Sequence, residues 1–108
     1  MKHLLVLFSI LFLLGCSKDS RKVKYRVVSQ SNSEVIYSMK GGPLNSENIS
    51  GDWSKTFRSR SGNPLYLNAT KTSPFGTLTI QISIDGNVVF SQSTEEMFSP
   101  ITIDAVVP

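Results

Sequence analysis

The chain has one histidine, His3, and one cysteine, Cys16, and neither residue type recurs between Ser17 and Pro108. That scarcity excludes most common catalytic chemistry. Beyond Cys16 there is no imidazole to serve as a general base and no thiol to serve as a nucleophile. Ser-x-x-Lys, a serine arrangement that needs no histidine, is also missing. Zinc and copper sites draw on His and Cys and find none here. Calcium needs only oxygen, but Glu47, Asp52, Asp85, Glu95, Glu96 and Asp104 are scattered instead of forming an Asp-x-Asp-x-Asp run. A lone cysteine rules out an intramolecular disulfide. The expectation is a protein without enzymatic activity, metal or cofactor.

Long apolar runs are scarce too. Leu4 to Leu14 is apolar except for Ser9, and it is shorter than the roughly 20 residues that span a bilayer as a helix. Met1-Lys2-His3 supplies a positive start, so the first residues read as a cleavable secretory signal. The run ends in Leu13-Leu14-Gly15-Cys16, the pattern of a bacterial lipobox. A small residue directly before cysteine fits the lipoprotein peptidase. Leucines at the two preceding positions spoil the spacing that the ordinary enzyme prefers. The expected organisation is a lipoprotein signal peptide over 1–15, a lipidated basic tether over 16–22 and a domain over 23–108. Several acyl chains on Cys16 would hold far more firmly than one. The expected location is the bacterial cell envelope, on the periplasmic face or the cell surface.

The net charge is only +3, and that weak balance predicts no nucleic-acid partner. Its distribution says more. Lys18, Arg21, Lys22, Lys24 and Arg26 follow the cysteine closely, with Asp19 alone against them. Basic side chains beside a membrane gain about 1 kcal/mol each near an anionic surface. A solvated basic tether would have the same composition.

Helical periodicity is absent from the remainder, and alternation with period two recurs. Val23, Tyr25 and Val27 alternate with Lys24 and Arg26, and Val35, Tyr37 and Met39 share a face. Gly41-Gly42-Pro43 opens a polar loop through Asn45 to Asn48. Trp53 to Arg58 reads as a third strand, then Leu65, Leu67 and Ala69 alternate inward after the Gly62-Asn63-Pro64 turn. Leu78, Ile80, Ile82 and Ile84 make the clearest strand. Asp85-Gly86 after it suits a tight hairpin whose central residues need positive φ, although Asn87 would also permit a three-residue loop. Val88 to Ser93 and Ile101 to Val107 complete about seven antiparallel strands. This pattern predicts an all-β fold, a small immunoglobulin-like β-sandwich, with a small barrel as the alternative.

The most promising surface is Trp53 to Arg60, where Lys55, Arg58 and Arg60 accompany Trp53 and Phe57. Tryptophan and arginine often dominate interface energetics. Trp53 and Phe57 would equally suit the plug of a sandwich core. Phe75, beside Pro74, and Phe98, two residues before Pro100, are further aromatic positions in loops.

Val23-Lys24-Tyr25-Arg26-Val27, Val35-Ile36-Tyr37-Ser38, Trp53-Ser54 and Ile82-Ser83-Ile84-Asp85-Gly86-Asn87-Val88 fall in an order that resembles the extracytoplasmic domain of MmpS-type transport accessory proteins. The resemblance implies a small β-sandwich that works beside an RND-type lipid or siderophore exporter. Members of that family keep a cysteine pair in their late strands and anchor by an uncleaved helix. Thr77 to Ile84 and Ile101 to Val107 carry no cysteine. The functional expectation is an envelope accessory protein held by lipid on Cys16 and meeting a membrane transporter or another envelope protein. The alternative is an outer-membrane or surface lipoprotein that binds a hydrophobic or glycan ligand, or a structural envelope component.

Overall fold

The computed structural model describes residues 20–108. Leu13, Leu14, Gly15 and Cys16 lie outside the described residues, as do the signal-peptide reading and Lys18. These residues fold as a β-sandwich of eight strands: β1 (Ser20–Ser29), β2 (Asn32–Ser38), β3 (Asn45–Ser50), β4 (Trp53–Arg60), β5 (Pro64–Lys71), β6 (Leu78–Ile84), β7 (Asn87–Thr94) and β8 (Ile101–Val106). One sheet has the order β4-β1-β6-β7 and the other β3-β2-β5-β8. Every pairing is antiparallel.

Alternation puts the core where the two sheets face one another. Val23, Tyr25 and Val27 of β1 and Leu78, Ile80, Ile82 and Ile84 of β6 come from the first sheet. Val35 and Tyr37 of β2, Leu65, Leu67 and Ala69 of β5 and Ile103 of β8 meet them from the second. Register is pinned because a one-residue slip would turn each of these side chains out to water.

Tyr25 joins the two sheets. Its ring stands edge-on to Phe57 at 5.0 Å and to Tyr37 at 6.4 Å. Its hydroxyl donates to the Ser38 carbonyl (2.9 Å) and accepts from the Tyr66 N–H (3.1 Å). Ser38 and Tyr66 are the facing pair at one end of the β2–β5 ladder, so this phenol from the first sheet completes the hydrogen bonding of the second.

Two expectations change. The described residues form eight strands rather than seven, because Asn45 to Asn48, expected as a polar loop, belong to β3, which pairs with β2 as an edge strand. It contributes little side-chain burial, with only Ile49 half-buried, and is held by its backbone ladder. The basic segment is also not a tether through residue 22. β1 starts at Ser20, and Lys22 already faces Arg58 of β4.

At the β6–β7 hairpin Ile84 faces Asn87, so the loop has two residues. Asp85 (φ 51°) and Gly86 (φ 88°) both take the left-handed conformation that a type I′ turn requires. Further along, Val89 is an extra residue on β7, a bulge opposite Ile82 and Ser83 that leaves Val88 and Val89 exposed.

Candidate functional site

The predicted surface lies on β4, an edge strand, and the structure splits it in two. Trp53 and Phe57 point toward the core and are half-buried. Trp53 packs on Tyr37 at 5.0 Å, and Phe57 packs on Tyr25. Lys55 shares their side of the strand but is exposed at the sheet edge. Arg58 and Arg60 project from the opposite, outer face. Trp53 therefore serves the sandwich, and the four residues form no single patch.

The exposed aromatics lie at one end of the molecule. Registers place the β1 start, the Asp85-Gly86 hairpin and the β4–β5 turn at one end, here called proximal. The β5–β6 and β7–β8 loops lie at the other, distal end. There Phe75 is 75 % exposed, Phe98 65 % and Met97 40 %. An apolar side chain in water forgoes about 2 kcal/mol of burial. Three on adjoining loops make a feature of this end.

Lys71, the last residue of β5, ties these loops together. It is buried, at 1 % exposure, on the inward side that Leu65, Leu67 and Ala69 also occupy. Its ammonium donates to the carbonyl of Gly76 (2.5 Å) and to that of Glu95 (2.7 Å). Its own carbonyl accepts from the Phe98 N–H at 2.8 Å. A buried ammonium is costly unless hydrogen-bonded, and here it is bonded to both loops that carry the aromatics.

The β5–β6 loop is fixed further by Ser31 Oγ, which donates to the Phe75 carbonyl (2.9 Å), and by Gln30 Oε1, which accepts from Thr77 N–H (3.2 Å). Gly76 is required beside them. Its φ is +81°, and a Cβ there would lie 2.7 Å from the Cβ of Gln30. Phe98 itself holds φ at 59°, a conformation costly for an aromatic residue.

Phe75 and Phe98 lie in loops, as the sequence places them, whereas Lys71 was missed. Its signal was available: continuing the inward alternation of β5 by one step reaches position 71.

At the proximal end, Asp85 Oδ1 accepts from the Lys22 N–H (3.0 Å), and Oδ2 pairs with Arg21 at 3.2 Å. The backbone bond from Lys22 and then the Arg21 guanidinium hold the Asp85 carboxyl below its usual range. In the interior, burial pushes the Tyr25 phenol up to about 12 against the opposing bond from Tyr66. Burial, then the hydrogen bond to Glu47 at 3.0 Å, also raises Tyr37.

Where β7 and β8 come together without pairing, an open cleft of about 630 Å³ runs beside Val89, Phe90, Gln92, Thr102 and Ile103. Among the described residues no group of three or more His, Cys, Asp or Glu is placed to hold a metal ion. No helix among them is long and apolar enough to cross a membrane.

No family model and no curated protein matches this chain.

Proposed function

We propose that this protein is a lipid-anchored accessory subunit of the bacterial envelope that docks on a membrane protein complex through its distal end. The observation that carries the reading is the exposed set Phe75, Met97 and Phe98, on two loops clamped by the buried Lys71 ammonium. Rigid, exposed aromatics at little further ordering cost suit a protein interface. The lipobox Leu13-Leu14-Gly15-Cys16 supports the anchor, and Cys16 precedes β1 by only four positions. The resemblance to MmpS-type proteins makes an RND-type exporter the partner to look for. The β7–β8 cleft, part apolar and part polar, favours a second reading in which a hydrophobic or glycan ligand lies along Phe90 and Ile103.

The test is crosslinking in intact cells with an affinity-tagged copy and mass spectrometry of what is recovered. Recovery of one membrane protein, lost with Phe75→Ser and Phe98→Ser but retained with Trp53→Phe, is the expected result. Recovery that survives both serine changes would remove the distal end from the argument. In the same cells Cys16→Ala should accumulate as an uncleaved, unacylated precursor. Normal processing of that variant would remove the anchor.

A further inference from the structure

The two outer faces of the sandwich carry opposite charge. On the β4-β1-β6-β7 sheet, Lys22, Lys24 and Arg26 of β1 and Arg58 and Arg60 of β4 all project outward and are exposed. The outward positions of β6 are Thr79, Gln81 and Ser83, and Ser91 and Ser93 follow on β7. No strand of this sheet presents an acid on that face. The other sheet reverses the pattern, with Glu34 and Asp104 on its outer face and no outward Lys or Arg on its strands.

Among the described residues none of these five cations is held in an ion pair. Among the described residues the only ion pair is Arg21–Asp85. Asp85 sits at the rim of the face with its oxygens engaged by Arg21 and the Lys22 backbone. Asp52, near Lys24 and Arg26, accepts from the Ser29 N–H instead. Lys22 stands directly across from Arg58, and like charges at facing positions destabilise a sheet. Along β1 the charges repeat about every 7 Å, the two-residue rise of a strand. Lys22, Lys24 and Arg26 line a shallow trough of about 360 Å³ with Gln81, Ser83 and Val88.

Chain length then selects the occupant. Four residue steps from Cys16 to Ser20 reach at most about 14 Å. A tether that short from a lipidated cysteine keeps the start of β1 beside the headgroups, within reach of the membrane surface. Its first strand, which carries three of the five cations, is the element nearest the anchor.

We propose that the outer face formed by Lys22, Lys24, Arg26, Arg58 and Arg60 docks on anionic phospholipid headgroups, so that the domain lies with this sheet against the bilayer. The inference rests on the anchor reading of Cys16 for its geometry. Lipid fixes the chain to the membrane, and the basic face fixes its orientation. The distal aromatics then point along the membrane surface.

The experiment uses the full chain extracted from membranes, with acylation of Cys16 checked by mass spectrometry. Acylation leaves no native thiol, so Thr56→Cys (facing Lys24 across the β1–β4 ladder) and Ser46→Cys (facing Ile36, on the other sheet) each give a unique site for an environment-sensitive dye. Each protein is reconstituted in phosphatidylcholine vesicles with and without phosphatidylglycerol. The dye at position 56 should shift to a headgroup environment only with phosphatidylglycerol, and the dye at 46 should not. Removing the charges one at a time, as in Arg26→Gln, should weaken that response roughly fivefold per charge. Raising salt to about 1 M, where screening shortens to about 3 Å, should abolish it.

Equal responses at 56 in both vesicles, or a response at 46 instead, overturn the proposal. So does a response at 56 that needs added membrane protein, which would assign the face to an acidic protein partner. If Cys16 proves unacylated, the anchor reading falls separately and the same chain is sedimented with both vesicle types. Charge-dependent sedimentation with phosphatidylglycerol would then uphold the face, and its absence would reject it.

Discussion

Tyr25 shows how a single side chain can couple two sheets. Its hydroxyl serves one donor and one acceptor at the end of the β2–β5 ladder, the Ser38 carbonyl buried and the Tyr66 N–H partly so. Tyr25→Phe keeps the ring contacts with Tyr37 and Phe57 but leaves the Ser38 carbonyl and the Tyr66 N–H unsatisfied. The expected cost at neutral pH is about 1–3 kcal/mol by urea unfolding. An unchanged midpoint would mean that water replaces the phenol there. The same residue sets an alkaline limit. Unfolded, it ionises near 10; folded, near 12. Its neutral form is favoured in the fold, so this contribution is complete below pH 10 and is lost as pH rises toward 12. Tyr37 shifts in the same direction. The alkaline fall in stability should therefore be shallower in Tyr25→Phe without disappearing. Lys71 poses a different question, since a buried charge can cost more than its bonds return. Lys71→Met preserves the apolar stem and removes the ammonium. The expected outcome is a loss of about 2 kcal/mol with faster amide exchange in both distal loops. Increased stability with unchanged exchange would show that the clamp is not what orders Phe75 and Phe98.

At the scale of elements, the β6–β7 hairpin does more than reverse the chain. Asp85 forms its turn and also grips β1 through the Lys22 N–H and Arg21, while the Asp85 N–H donates back to the Lys22 carbonyl at 2.9 Å. Gly86→Ala places a Cβ at φ 88° and should cost about 1–2 kcal/mol. Asp85→Ala should free the start of β1, seen as faster exchange at Lys22 and Val23 with β6 still protected. Uniform loss of protection would instead make the hairpin part of the global core. Because its pKa is depressed, Asp85 contributes stability above its ordinary pKa near 4, and that contribution is lost as pH falls through the lower folded value. Strands with one buried face were legible in the sequence: β1, β2, β5 and β6 announce themselves through Val, Tyr, Leu and Ile at every second position. β3 was not, because Asn45-Ser46-Glu47-Asn48 buries nothing and pairs mainly through the backbone groups of β2, with one side-chain bond from Tyr37 to Glu47. Trp53 and Phe57, which the sequence leaves open as interface or core, share one face of β4. Whether that face looked inward needed Tyr37 and Tyr25, which are distant in sequence. Lys71 was hidden by its own charge, because a lysine that ends an apolar alternation looks like the point where burial stops.

On the scale of the whole molecule, the arrangement is a sandwich with two distinct faces and two distinct ends. The core is drawn from residues 23–107, so the described strands close it among themselves. The basic face, the acidic face and the apolar distal end are placed around that core by strand alternation and loop position. Alternation and strand pairing explain why two groups of cations more than 30 residues apart in sequence share one surface: each of the five is an outward position on one of two paired strands. This division of roles works only if the two sheets stay together as a unit. Trp53 offers a direct readout, being the only tryptophan and packing from the first sheet onto Tyr37 of the second. In urea, its fluorescence reports contact between the sheets, while far-ultraviolet circular dichroism reports the strands. A chain beginning at Ser20 should give coincident transitions by both probes, with a slope of about 1–3 kcal/mol per molar. The midpoint should be the same with and without reductant, since no cysteine lies in that segment. Fluorescence that changes at lower urea than the dichroism would mean that the sheets separate before they melt. The aromatic cluster of Tyr25, Tyr37, Trp53 and Phe57 would then be the weakest part of the fold instead of its join.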